Sequence, residues 1–254
     1  MADDIQDSAD RYRAPALDKG LDILEVLSDQ ARGLTRAEIV KEMGLSPSQI
    51  YRMLERLVAR GYVTRIEGGD RYALTMKLYL LATRHPPLRR LVAQAQPMMD
   101  EFAREMRQSC HLVVPEQGTG IVVAQASPIG HWEFRARLGG QVDLFTTGSG
   151  LTLLAFQSPA RAVDTLGIWG VVDAPAKLAR VESHLSQLRQ QGWRAEPSGQ
   201  LYGVTDISVP VAGIEGEAIG VLTCAFIEHP DDTAGRSRSD ARDQLLQMAQ
   251  ALSG

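Results

Sequence analysis

Thr35-Arg-Ala-Glu-Ile-Val-Lys-Glu-Met-Gly-Leu-Ser-Pro-Ser-Gln-Ile-Tyr-Arg-Met-Leu-Glu-Arg56 decides the fold of the first part of this chain. Thr35 and Glu38 have capping-box spacing, in which the threonine hydroxyl and the glutamate three residues on each satisfy the other's backbone amide. The spacing predicts a helix of about two turns with Ala37, Val40 and Met43 inward, closed by Gly44, where a helix end calls for a left-handed residue. Ser46 then offers an N-cap, Pro47 a first helical position and Gln49 a third, so a second helix opens two residues after the first has closed. Ile50, Leu54, Leu57 and Val58 form its buried stripe, and Ser48, Gln49, Tyr51, Arg52 and Arg56 point outward. Two capped helices joined by a tight turn, with a cationic outer face on the second, make a helix-turn-helix.

Upstream, residues 1–14 lack apolar periodicity and read as a flexible tail. From Pro15, Leu17, Leu21, Leu24 and Leu27 recur at helical spacing. Downstream, Gly61 ends the outward-facing helix, and 62–66, a Gly-containing turn and 71–74 read as a hairpin, the wing that follows a recognition helix. A winged domain over 15–75 and a linker helix over 76–87 precede a second domain over 88–254. That domain opens with a long helix whose apolar positions are Leu91, Ala95, Met98, Met99, Phe102 and Met106. Strands are expected at 111–115, 121–126, 132–138, 206–211 and 218–226, and helices at 149–157, 158–166, 176–191 and 240–252. The fold class is α+β in two domains: a winged helix-turn-helix, mostly α with a β-hairpin wing, followed by an α/β domain.

The chemistry of the first domain follows from its outer face. An α-helix fits the major groove, where Gln49 can pair with adenine, and Arg52 or Arg56 with guanine or a phosphate. Ser48 and Tyr51 stand beside them. The helix starts at Thr35-Arg36 and Ser46 present free amides to phosphates. Arg65 and Arg71 on the wing either straddle the DNA backbone or are simply solvated. The net charge of −4 conceals a division: residues 11–90 carry 15 Lys+Arg against 9 Asp+Glu, and residues 91–254 carry 12 against 18. A basic front and an acidic back suit a DNA-contacting module joined to one that does not touch DNA.

Several classes are set aside. With 44% hydrophobic and 23% charged residues, the composition is that of a globular protein rather than a disordered or fibrous one. No run approaches the roughly 18 apolar residues of a membrane span, and the acidic start is unlike a secretion signal, so the expected location is the cytoplasm. Cys110 and Cys224 are far apart in sequence with no CxxC spacing, which suggests neither a disulfide framework nor a zinc ribbon. There is no HExxH, P-loop or GxGxxG, and Gly148-Ser149-Gly150 is not a nucleophile elbow. No enzyme, metal site or cofactor is expected. Cys110-His111 as a metal or haem pair is one alternative reading.

Pro15-Ala-Leu-Asp-Lys-Gly-Leu-Asp-Ile-Leu24, Ser46-Pro-Ser-Gln-Ile-Tyr-Arg52, Gly61-Tyr-Val63 and Tyr72-Ala-Leu-Thr75 resemble the DNA-binding half of the IclR family of bacterial transcriptional regulators. The likeness continues through Asp143-Leu-Phe-Thr-Thr-Gly-Ser-Gly-Leu-Thr-Leu-Leu-Ala155, Gln190-Gln-Gly-Trp193, the Glu196 region and Asp206-Ile-Ser-Val-Pro-Val211. The resemblance implies a GAF-like effector domain, a homodimer or homotetramer on an inverted-repeat operator in double-stranded DNA, and control by a small catabolic metabolite, often a carboxylate. It places the effector pocket at Thr147, Gly148, Ser149, Glu196, Asp206, Thr223 and Ala225. The first three make sense physically, because helix N-terminal amides with hydroxyls beside them are a ready carboxylate site.

The sequence departs from the family at Leu151, where a lysine is usual, at Asp206, where a hydroxyl or thiol is usual, and at Ala225, which replaces another hydroxyl. Asp206 would repel a plain acid but accept hydrogen bonds from hydroxyls. A polyhydroxylated acid, a neutral or aromatic compound stacking on Trp132 or Phe134, and a small keto acid all remain open. Trp132 and Phe134 also suit a core or an interface. The rival reading of the whole chain is a sensory or catalytic domain whose winged helix serves only assembly.

Overall fold

The computed structural model describes residues 14–66, 70–130, 134–228 and 236–253. These divide into two compact units, 1–86 and 87–254; the reading of 1–14 as a tail lies outside the described residues apart from Ala14. The first unit runs α1 (Pro15–Ser28), β1 (Leu34–Thr35), α2 (Arg36–Met43), α3 (Pro47–Ala59), β2 (Val63–Arg65), β3 (Arg71–Leu74) and α4 (Lys77–Ala82). The capping box forms as the spacing requires: Thr35 Oγ1 accepts from Glu38 N at 3.2 Å, and Glu38 Oε2 from Thr35 N at 2.8 Å. Gly44 closes α2 in the left-handed region at φ 61°. Ser46 takes the extended N-cap conformation of α3 but makes no side-chain cap bond; its Oγ lies 3.3 Å from Ser48 Oγ instead.

Ile23, Leu27, Ile39, Ile50, Leu54, Val63 and Tyr72 are the buried centre of this unit. Two expected inward positions differ. On α1 the buried pair is Ile23 and Leu27, whereas Leu17 is 61% and Leu21 48% exposed, since only the C-terminal half of that helix meets the core. On α2 Ile39 is inward and Ala37 exposed, with Val40 and Met43 partly covered. β1, β3 and β2 form one antiparallel three-stranded sheet in that order. β1, which was not anticipated, ties the wing to the start of α2.

The second unit contains α5 (Pro86–Met106), β4 (Cys110–Glu116), β5 (Thr119–Ala126), β6 (Gln141–Val142), α6 (Gly148–Ala155), α7 (Pro159–Ile168), α8 (Ala174–Gln191), β7 (Arg194–Pro197), β8 (Val204–Ala212), β9 (Ala218–Ile227) and α9 (Arg238–Leu252). Its six-stranded sheet has the order β6-β5-β4-β9-β8-β7, antiparallel throughout. The expected strand over 132–138 is not formed at 134–138, because the chain turns at Gly139-Gly140 and returns to β5 for only two residues. Trp132 lies outside the described residues.

Strand alternation sorts the sheet into two faces. On one, Leu112, Ile207, Val209, Val211, Leu222 and Phe226 pack against α5 and α9 through Met99, Phe102, Met106, Leu245 and Met248. Each fully buried side chain of this size contributes roughly 1.5–3 kcal/mol of transfer free energy. Cys110 and Cys224 stand opposite one another across β4 and β9, both free and buried, and burial pushes both thiols up. On the other face, Val113 and Val221 meet Leu151, Leu154, Leu166, Leu185 and Leu188 of α6, α7 and α8. The same alternation puts His111, Arg194, Glu196, Asp206, Ser208 and Thr223 on this second face, beneath the start of α6.

Candidate nucleic-acid interface and effector site

On α3, Ser48, Gln49, Tyr51, Arg52 and Arg56 are all exposed, as are Ser46 and Arg36. Among the described residues neither Arg52 nor Arg56 has a carboxylate within salt-bridge distance. The Arg36 guanidinium lies 5.3 Å from the Tyr51 ring centre, which holds the aromatic side chain beside the helix start. At the start of α3 Pro47 has no N–H and the Gln49 amide donates to the Ser46 carbonyl at 3.1 Å, so this end offers the Ser48 amide and the positive end of the helix dipole. The wing arginines are committed within the domain. Arg65 pairs with Glu55 and lies 5.4 Å from the Tyr72 ring. Arg71 Nη1 donates to the Gly33 carbonyl at 2.9 Å and to Glu38 Oε2 at 3.1 Å, and Nη2 to Glu38 Oε1 at 3.3 Å. Together with the Thr35 amide, Arg71 holds the Glu38 carboxyl below its usual range.

The second site is built around the first turn of α6. Thr147 is its N-cap, extended in backbone, with Oγ1 accepting from Gly150 N at 3.0 Å and donating to the Asp143 carbonyl at 2.7 Å. The amides of Gly148 and Ser149 stand in the first turn, where a helix offers no acceptor of its own. Ser149 Oγ lies 2.9 Å from Thr223 Oγ1, which lies 2.9 Å from Ser208 Oγ, and His111 Nε2 is 3.3 Å from Ser149 Oγ. These hydroxyls therefore satisfy one another and fix α6 to the sheet. Desolvation holds His111 down at about 4, a neutral imidazole at neutral pH.

Arg194 is buried beside them, its Nη2 3.0 Å from Glu196 Oε2 and its Nη1 3.4 Å from the Asp206 carbonyl. His184 of α8 reaches the other oxygen of Glu196 at 2.8 Å. A Cβ on Gly148 would stand 2.8 Å from Arg194 Nη1 and 3.2 Å from Asp206 Oδ2, so cation and carboxylate converge on the bare Cα of that glycine. Burial raises the Asp206 carboxyl, with Ser198 and Arg194 pulling it back. Thr147, Gly148, Ser149, Glu196, Asp206 and Thr223 are thus gathered in one place. Ala225 faces Asp206 in register on β9, and Phe134 is 37% exposed. Cys110 and His111, adjacent in β4, face opposite sides of the sheet and cannot serve as a ligand pair.

Arg194, His184 and Ser208 were not singled out from the sequence, and His111 was considered there only as a metal or haem partner of Cys110. The signal was present in Arg194-Ala-Glu196, which alternates as a strand does, but four residues after Gly192-Trp193 read as a loop.

A winged helix-turn-helix joined to an α/β domain with a polar site beneath one helix start defines a two-domain DNA-binding regulator. Residues 16–67 match the model of the IclR helix-turn-helix domain, and residues 88–253 that of the bacterial transcriptional regulator IclR C-terminal region. The chain belongs to the IclR family and is a transcriptional regulator of that type. It is similar to the HTH-type transcriptional regulator XynR of Escherichia coli, 27% identical over 242 residues and covering 94% of this chain and 95% of the relative. KdgR of the same organism is 26% identical over 208 residues, covering 80% and 79%. An IclR homolog from Microbacterium hydrocarbonoxydans, solved with 4-hydroxybenzoate, shares the fold at a TM-score of 0.73 and 23% identity, covering 93% of this chain and 97% of that one. Pseudomonas aeruginosa HmgR does so at 0.69 and 22%, covering 94% and 97%. No helix among the described residues is long and apolar enough to cross a membrane.

Proposed function

We propose that this regulator binds an inverted-repeat operator as a homodimer or homotetramer in the cytoplasm, and that an organic or sugar acid from a catabolic pathway alters that binding. It is read as a non-enzyme, with the winged domain over 15–75, a linker helix over 76–87 and the effector domain from 88 onward. The observation that carries the effector reading is the convergence of α6 first-turn amides, the Arg194 cation and the Asp206 carboxylate on Gly148. Gln49, Arg52 and Arg56, with Ser48 and Tyr51, are the base- and phosphate-contacting set; Arg36 and the starts of α2 and α3 sit at the backbone. Arg71 serves as an internal tie, and Arg65 reaches DNA only by leaving Glu55. Assembly through the first unit is supported by the apolar side chains it leaves exposed, Tyr79, Leu80 and Leu81 of α4 with Leu17 and Leu21 of α1. The acid class is supported by the solved homolog that holds 4-hydroxybenzoate, itself a carboxylate.

The test is DNA binding followed by fluorescence anisotropy, using fragments of the intergenic DNA upstream of the gene and a panel of sugar, keto and aromatic acids. Saturable binding that falls steeply with salt and that one acid alters supports the reading. Folded protein that binds no fragment even at low salt refutes it, and binding that no compound alters refutes the effector half.

A further inference from the structure

Arg194 is 5% exposed, and among the described residues its Nε is the buried side-chain polar atom without a hydrogen-bond partner. A guanidinium carries five N–H donors. Here Nη2 stands at ion-pair distance, 3.0 Å, from Glu196 Oε2, and Nη1 donates to the Asp206 carbonyl at 3.4 Å. A buried cation with donors unmade is costly. Its position adds to that cost, because Nη1 lies against Gly148 at the first turn of α6, where the helix presents its own positive end. Two positive groups aimed at one spot call for anions, and each carboxylate present is shared: Glu196 is also held by His184 at 2.8 Å and its side chain is 39% exposed, while Asp206 is also held by Ser198.

We infer that Arg194 is the anion-reading residue of the effector site, and that the preferred ligand is a 2-hydroxy monocarboxylate whose carboxylate takes the place of Glu196 on Arg194 while Asp206 accepts from the neighbouring hydroxyl. This rests on the effector reading given above. The hydroxyl requirement follows from neighbourhood: the Arg194 cation and the Asp206 carboxylate flank Gly148 together, so a ligand carboxylate on Arg194 brings its adjacent group beside a hydrogen-bond acceptor. A second ligand carboxylate would face Asp206 and be repelled. Displacement gives the binding a counterweight, since Glu196 competes with the ligand for one cation, and removing that competitor should tighten binding.

The test uses the full chain, calorimetry and thermal melting, with lactate, gluconate and mandelate, each beside its hydroxyl-free partner propionate, hexanoate or phenylacetate. At least one hydroxy acid should bind wild type at least ten-fold tighter than its partner. Arg194→Met should abolish that binding and Arg194→Lys weaken it ten-fold or more, since a point charge replaces a planar fork. Glu196→Gln should strengthen it several-fold. An ordinary structural ion pair predicts no gain in Glu196→Gln, so the inference survives even if Arg194→Met fails to fold. Equal binding by wild type and folded Arg194→Met, weaker binding by Glu196→Gln, or no binding of any of the six acids overturns it. The effector reading stands apart: a neutral or aromatic compound that alters operator binding equally in wild type and Arg194→Met would sink this inference alone.

Discussion

The two glycines of the α6 start should respond to a methyl group in opposite ways. A Cβ on Gly150 would stand 2.2 Å from the Asp143 carbonyl oxygen and 2.5 Å from the Leu144 Cα. Both are backbone atoms, so nothing can rotate away, and the helix must move by about 1 Å to restore ordinary contact. Overpacking of this kind costs about 3 kcal/mol or more, against a helix-propensity gain of no more than ~1 kcal/mol for alanine over glycine. For a domain of this size, 1 kcal/mol corresponds to roughly 2–4 °C, so Gly150→Ala should melt several degrees, up to about 10 °C, below wild type. At Gly148 the nearest atoms are the end of the Arg194 side chain, 2.8 Å away, and Asp206 Cβ at 3.0 Å, so side chains rather than backbone must shift. Gly148→Ala should therefore lose less stability than Gly150→Ala, within about 4 °C of wild type, yet lose its response to acids, because the methyl pushes Arg194 and Asp206 apart. Calorimetric melting of both variants with and without a responsive acid is the assay. A Gly150→Ala protein as stable as wild type would refute the packing of α6 on residues 143–144. A Gly148→Ala protein that still binds acids would place the ligand elsewhere.

Arg52→Ala should weaken specific operator binding by about 1–3 kcal/mol without lowering the melting temperature, whereas Arg71→Ala should cost up to ~1 kcal/mol of stability, its ion pair being partly exposed; comparable melting losses for the two would be against this division. Thr35→Ala removes one half of the capping box and should destabilise the first unit by about 1 kcal/mol, read from urea unfolding. Because the His111 imidazole is held neutral down to about 4, below its ordinary 6.5, the unfolded chain takes up a proton in that window and the folded one does not. Stability is then full above pH 6.5 and lost as pH falls toward 4, by about 3 kcal/mol as an upper bound. His111→Gln should flatten that slope, and an unchanged slope would disprove the assignment.

The first unit was legible because its signals are local: Thr35 and Glu38 three residues apart, Gly44 at the helix end and Pro47 at a helix start each decide a cap from nearby sequence. The α1 stripe was misjudged because four leucines at helical spacing say nothing about how much of a helix meets a core, and Leu17 and Leu21 stay outside. In the second unit strand identity was readable, but the edge was not, since two residues pairing after Gly139-Gly140 leave no alternation to count. The site had the same difficulty. Thr147, Gly148 and Ser149 could be named from the family resemblance and lie together at one helix start, while Arg194, Ser208 and His111 join them only through the sheet order β4-β9-β8-β7, a long-range fact. Arg194 changes the electrostatics there: Asp206 alone suggests repulsion of an acid, whereas a buried guanidinium stands beside it in the fold.

The facing of Cys110 and Cys224 across the two central strands gives the sheet a built-in clock. Their thiols lie under α5 and α9 and are held protonated by burial, so a thiol reagent reaches either sulfur only when that helical layer lifts from the sheet. The rate at which the pair is modified therefore times the opening of this face of the domain, and its slowing on addition of a ligand would measure how firmly that ligand holds helices and sheet together.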